Sequence, residues 1–306
     1  MTAYFSGDAR ALMASGEYRP ISKLKSGNMV VNMDGKSVKV MGTVQTSDKQ
    51  MVQITHRNWY KPFYCTETQE ILADGRWVRA SEVRTERVLT APTTVKVSSF
   101  NKTVADETVS YNLGALFGLY CGYGGINNGK VQFVFGPNDE IDRQVCDTLK
   151  ELFDVTAEVE RNEKIHRVTV DDPKLIELFS EFGSKVDRRL PGRWCVADND
   201  YMLGIFTGIV EYDRQTDCVR YICISEKMVE IFLDLCRNLG YTVVSERCET
   251  EGAMSIYLLK VDDKVDGSDL VKVGTDSLIA RDAWSVVVDC PTRSMDVDNM
   301  VVRTKD

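Results

Sequence analysis

The strongest constraint on the fold is that the middle of the chain repeats itself. "NLGALFGLYCGYGGI" is followed by "KVQFVF" and then "NDEIDRQVCDTLKELF"; further on, "YMLGIFTGIVEYD" is followed by "CVRYICIS" and then "SEKMVEIFLDLCRNLGY". In each series the outer segments carry the 3.6-residue period of a helix and the inner one the pattern of a strand. Gly118 and Gly204 lie 86 residues apart and Leu152 and Leu239 lie 87 apart, so the two series keep register to within one residue. A duplicated α/β unit is expected. Gly114, Gly118 and Gly122, and likewise Gly204 and Gly208, recur every fourth residue and share one stripe of each helix. Glycine costs about 1 kcal/mol against alanine in a helix interior. Five at this spacing predict two helices that cross backbone against backbone.

The flanks read differently. "NMVVNMDGKSVKVMGTVQTS" alternates around Asp34-Gly35 and "EILADGRWVRASEV" around Asp74-Gly75, both hairpin signals. The helical pattern begins near residue 105, and β alternation returns near residue 278 in "AWSVVVDCPTRSMDVDNMVVRT". An α+β chain is expected, with a β-rich domain of residues 1–104 plus 276–306 interrupted by a duplicated domain of residues 105–275. The halves of that domain are about 105–190 and 191–275. Apolar residues make up 43% of the chain, enough for a real core, yet no window approaches the roughly 18 apolar residues of a membrane span. The start lacks a secretory layout, so a cytosolic place is expected. Nine cysteines without a CxxC pair predict reduced, core-packed thiols, and His56 and His166 sit in strand-like settings that predict surface or hydrogen-bonded structural roles. The aromatic cluster Trp59, Tyr60 and Phe63 is expected to serve the β-domain core.

These segments resemble the LAGLIDADG homing endonucleases, and more fully the inteins that carry such an endonuclease inside a protein-splicing (Hint) domain. The resemblance covers nearly the whole chain and implies a Hint-like β domain with an inserted pseudo-symmetric αββαββα domain. In the family the eighth motif position is an acidic metal ligand; laid on "LFGLYCGYG" and "MLGIFTGIV" it falls at Tyr123 and Ile209. Hard cations need several oxygen ligands, and neither residue supplies one. The splicing blocks depart in the same way. "YFSGDARALMASGEYRPISKLKSGNMV" places Tyr4 where the family has a cysteine or serine nucleophile, and "TETQEILADGRWVRASEV" places Gln69 where it has histidine. In the closing blocks the family's histidine falls at Arg293 and its final His-Asn pair at Arg303 and Thr304. Threonine does not cyclise to a succinimide, and arginine holds its proton. Only three residues precede Tyr4 and two follow Thr304, so no host protein to rejoin is expected.

Every position that would do chemistry is thus replaced, while glycines, strand pairs and turn dipeptides persist. The expectation is a pseudoenzyme with no catalytic residue, cofactor or metal, reused as a protein-binding adaptor. Charge points the same way. Residues 105–275 hold 19 Lys and Arg against 31 Asp and Glu, a net of −12, and the remainder nets +4. Duplex DNA binders draw affinity from phosphate neutralisation, so proteins rather than duplex DNA are the expected partners. In "VTAEVERN" the alternation puts Val155, Ala157 and Val159 on one face and Thr156, Glu158 and Glu160 on the other; in "VQFVF" and "VRYICIS" the outward set is partly apolar. The run Lys185–Arg193 is a local basic spot that could touch nucleic acid. From family and setting alone, the resemblance suggests a phage-encoded protein in the cytoplasm of a host bacterium, at a phage-built compartment whose protein import it would help select. The competing expectation is a free-standing homing endonuclease or a DNA-binding regulator derived from one, with displaced ligands among Asp8, Glu211 and Asp213.

Overall fold

Two strands of 20 residues, Ser37–His56 and Asp269–Val288, run antiparallel and form the spine of the first of two units. In this computed structural model the described residues are 4–15, 18–56, 62–73, 75–83, 88–89, 103–104, 107–137, 139–190, 198–213, 218–239, 241–249, 255–262, 269–291, 294–297 and 300–304. The chain is a mixed α/β protein that divides into residues 1–99 with 262–306, and residues 100–261. The sequence placed these breaks at 104/105 and 275/276. The later break moves because the strand already pairs within the first unit at Asp269, opposite Leu89. The pairing shifts register between Gly274 and Ile279, and the strand continues through it.

In the first unit, the β-rich one, both turn dipeptides do what their chemistry demands. Asn32 Oδ1 accepts from the backbone N–H groups of Asp34 (3.0 Å) and Lys36 (2.9 Å), and Gly35 takes φ +72°. That closes the hairpin in which Val30 faces Val38. A second hairpin pairs Glu70–Ala73 with Arg76–Arg79 around Gly75 at φ +71°, its Asp74 lying outside the described residues. The inward set of these strands, including Phe5, Ile54, Phe63, Ile71, Val286 and Val302, forms one apolar cluster. Phe63 is therefore core, as expected; Trp59 and Tyr60 lie outside the described residues.

The second unit, residues 100–261, shows the duplication as geometry. Helices α1 (Tyr111–Tyr123), α2 (Asp139–Phe153) and α3 (Pro173–Ser180) belong to the first half, α4 (Asn199–Ile209) and α5 (Glu226–Asn238) to the second. The first half's four-stranded sheet has the order Gly124–Asn127, Lys130–Phe135, His166–Val170, Glu158–Arg161; the second repeats it as Glu211–Asp213, Cys218–Cys223, Ser255–Asp262, Thr242–Glu249. The caps repeat too. Ser110 Oγ accepts from Leu113 N–H to start α1, and Asp198 Oδ1 accepts from Tyr201 N–H to start α4.

Helices α1 and α4 cross at their glycines. A Cβ on Gly114 or Gly118 would collide with the carbonyls of Tyr201 or Ile205, and one on Gly204 or Gly208 with those of Tyr111 or Ala115. Gly118 and Gly208 face each other so closely that a Cβ on the first would stand 3.0 Å from the Cα of the second. Gly122 is the exception among the five. Its added Cβ would lie 3.8 Å from the carbonyls of Gly208 and Ile209, ordinary contact, because the helices have diverged by that turn.

Cysteines behave as packing groups. Cys65, Cys121, Cys146, Cys223, Cys236 and Cys290 are free thiols. Burial pushes Cys65 and Cys236 far up, Cys121 up to about 12 against the pull of Arg188, and Cys223 up to about 11. Only the thiolate is nucleophilic, and at pH 8 a thiol titrating near 12 is ionised in about one molecule in 10⁴. Iodoacetamide on the native chain should leave Cys65, Cys121 and Cys236 unmodified while urea exposes them, as peptide mass mapping would show.

Candidate functional site

Two places gather the residues singled out by sequence. In the first unit, Tyr4 and Thr66 clasp each other: Thr66 Oγ1 accepts from Tyr4 N–H at 3.0 Å, and Thr66 N–H donates to Tyr4 O at 2.9 Å. Three residues on, the wholly buried Gln69 donates through Nε2 to Glu70 O (2.9 Å) and Arg303 O (2.8 Å). Arg303 in turn donates from Nη1 to Glu70 Oε2 at 2.7 Å and lies 4.6 Å over the ring of Trp77. Thr304 is buried beside it, with no hydrogen-bond partner for Oγ1 among the described residues.

The elements explain the gathering. Phe5–Ser6 pairs with the strand holding Trp284 and with Phe63–Cys65, which delivers Thr66 to Tyr4. Val302 pairs with Ile71, which brings Arg303 beside Gln69. Tyr4, Thr66 and Gln69 thus share one region with Arg303 and Thr304, although 234 residues separate Gln69 from Arg303. Arg293 lies outside the described residues. Thr66 was overlooked as a site residue in the quoted "TETQ", because its role depends on a partner 62 residues away.

Chemically, this constellation holds strands together. The Gln69 amide exchanges no proton near neutrality, and the Arg303 guanidinium bridges Glu70 and Trp77.

The second place is the end of the helix pair. Tyr123 closes α1 with its ring 6.1 Å from that of Phe135, and Ile209 closes α4, 2% exposed. Carbon and a phenol ring thus stand at the two positions where the resemblance would put metal ligands. Of the alternative ligand set, Asp8 is exposed in the first unit, while Glu211 and Asp213 lie on a strand of the second with side chains outside the described residues. Among the described residues no three His, Cys, Asp or Glu side chains converge as a metal site.

Beyond these helix ends opens a groove of about 780 Å³ between the two halves of the second unit. Its walls carry Ile126, Val134 and Ile222, exposed by 40%, 37% and 50%. The outward positions of "VQFVF" and "VRYICIS" are therefore partly apolar, as the alternation predicts. On "VTAEVERN" the alternating exposure also holds, with Glu158 and Glu160 outward, but the strand itself is only Glu158–Arg161. Glu160 accepts from Arg167 at 2.8 Å, which ties down one cation on that sheet. Over residues 100–261 the count is 18 Lys and Arg against 27 Asp and Glu, a net of −9; the other unit nets +1.

The basic run at Lys185–Arg193 is less of a surface than its composition suggests. Arg188 is buried, donates from Nη2 to Gly124 O at 2.6 Å and lies 4.8 Å over the Tyr120 ring. Arg189 donates to Glu181 O at 2.9 Å, and residues 191–193 lie outside the described ones. His166 is buried and structural, its Nδ1 2.8 Å from Asp142 Oδ2; the side chain of His56 lies outside the described residues.

No family model matches the chain, and no curated protein does. Among solved structures it is similar to mesophilic variants of the homing endonuclease I-DmoI, at 16% identity and a TM-score of 0.40, over 50% of this chain and 89% of that one. It is also similar to a mutant Ssp DnaB mini-intein, at 10% identity and a TM-score of 0.37 over the full length of both. A third likeness, to a DnaB intein from Synechocystis sp. PCC 6803, has 20% identity and a TM-score of 0.28 over 30% of this chain and 70% of that one.

Proposed function

We propose that this chain is a non-catalytic adaptor that binds other proteins, built on a frame of the intein and homing-endonuclease kind. The observation that carries the reading is the groove of the second unit, whose exposed Ile126, Val134 and Ile222 line an otherwise acidic body. Apolar side chains presented in a concavity suit a protein surface; a phosphate backbone calls for rows of unpaired Lys and Arg. The buried, hydrogen-bonded cluster around Gln69 and the carbon-lined helix ends support the absence of splicing and of nuclease chemistry in the same reading. Its finer form is a phage-encoded protein that selects partners for import into a compartment built in the host cytoplasm. That form rests on family resemblance alone.

The alternative, a DNA-binding regulator or endonuclease, separates cleanly from this one by experiment. With long random duplex at low salt, with and without magnesium, the chain should give neither a shifted band nor nicks. A shift that falls steeply with salt, or magnesium-dependent cleavage, would overturn the adaptor reading. Affinity purification from the native host with mass spectrometry then identifies the partners.

A further inference from the structure

Arg188 is an unusual cation to find at the groove. It is 6% exposed, its Nη2 is satisfied by Gly124 O, and its Nη1 has no hydrogen-bond partner among the described residues. No carboxylate among those residues pairs with it. Asp187, its neighbour in sequence, faces away to Lys227 at 3.4 Å, and Ser225 donates its hydroxyl to the Arg188 carbonyl rather than accepting from the guanidinium. The Tyr120 ring beneath it offsets part of the cost, but a buried guanidinium with no carboxylate beside it still favours an anion. Lys185, exposed on the same wall and without a carboxylate partner among the described residues, adds a second positive charge.

Around these two cations the lining is mostly apolar, with Ile126 and Val134 from the first half and Ile222 from the second beside polar Asn127, Gln132 and Ser225. Sites that enclose small ligands run from about 300 to 1,000 Å³, and this groove has the size for a short extended peptide. One deep cation in an acidic unit suits a single negative charge among apolar neighbours. It does not suit a polyanion, which the net charge of the unit would repel.

We propose that the groove binds an extended segment of a partner protein in which one Asp or Glu side chain, flanked by apolar residues, lies against Arg188 and Lys185 while its neighbours cover Ile126, Val134 and Ile222. The inference rests on the adaptor reading and names the chemistry of what the adaptor takes.

The test is selection of a random dodecapeptide display library on the full chain, followed by fluorescence anisotropy with the enriched peptides in labelled form. The expected result is a consensus with one acidic residue between apolar ones. Binding should fall at least tenfold when that residue becomes Gln or Asn, and fall comparably in Val134→Glu, Ile222→Glu and Lys185→Glu. These three positions are exposed or half-exposed, so the fold should tolerate the changes. Arg188→Met should also abolish binding, with its melting curve recorded because Arg188 also ties Gly124. Enriched peptides without an acidic residue, or binding unaffected by the three surface variants, would sink the groove inference. If partners recovered from the host remain bound to those variants, the adaptor reading stands without it. Displacement of the peptide by a short DNA duplex would overturn both.

Discussion

Gly118→Ala and Gly208→Ala should each destabilise the second unit by about 2–3 kcal/mol, even though alanine is the better helix former by about 1 kcal/mol. Each new methyl would stand inside the van der Waals contact of a main-chain carbonyl on the opposite helix, Ile205 for the first and Ala115 for the second. A side chain in the way could rotate; a carbonyl fixed in a helix has no such freedom. Helices α1 and α4 would therefore have to separate, and the packing of buried Phe117, Tyr120, Ile205 and Phe206 would loosen with them. Gly122→Ala is the built-in control. It shares the stripe and the spacing, but its methyl would meet nothing closer than 3.8 Å, so the propensity gain should remain and stability should hold or rise by up to about 1 kcal/mol. Urea-dependent hydrogen exchange of peptides from α1 and α4 reads the second unit separately from the first. Equal protection in Gly118→Ala and the parent chain would mean that the helices do not cross at these residues.

The contrast between Gly118 and Gly122 marks how far the sequence can be read. A steric requirement leaves its trace directly, because only glycine satisfies it, so the crossing helices were legible. Spacing alone does not say where along the stripe the helices diverge. Local chemistry was legible for the same reason at Asp34-Gly35, where the turn needs a residue at positive φ. It does not mark the register shift between Gly274 and Ile279, which lies within a strand paired to a partner more than 200 residues away.

The functional cluster shows the same limit. Tyr4, Gln69, Arg303 and Thr304 were reachable through motif positions, but Thr66 carries no signal of its own apart from the neighbour it clasps. Arg188 was read as part of a basic spot that could touch nucleic acid, since burial of a cation is decided by what lies above it. Here that is the Tyr120 ring and the Gly124 carbonyl, both far off in sequence. Residue types report local demands; long-range pairings decide which of them face water.

Removing the buried carboxylate of Asp142 should be the most damaging polar substitution in the second unit. Asp142 is fully buried on α2, and its Oδ2 takes both Arg161 Nε at 2.7 Å and His166 Nδ1 at 2.8 Å. Asp142→Val removes the carboxylate that the buried His166 shares with Arg161, and breaking a buried pair from one side costs about 3–5 kcal/mol. The duplication supplies the remedy. Helix α5 begins 87 residues after α2, which sets Val229, wholly buried, at the place of Asp142. Strand pairing sets Tyr257 opposite Cys223 as His166 is opposite Phe135. The second half thus forms the same architecture with an apolar residue where the first has an acid. Asp142→Val combined with His166→Tyr should therefore recover part of the loss, with a coupling of about 2 kcal/mol across the double-mutant cycle, because with the imidazole gone the missing carboxylate leaves no buried ring nitrogen behind. Hydrogen exchange of α2 and of the strand His166–Val170 gives the four stabilities. Additive losses would show that the two halves are not interchangeable at this position, and that the polar pair is held by something other than its own desolvation.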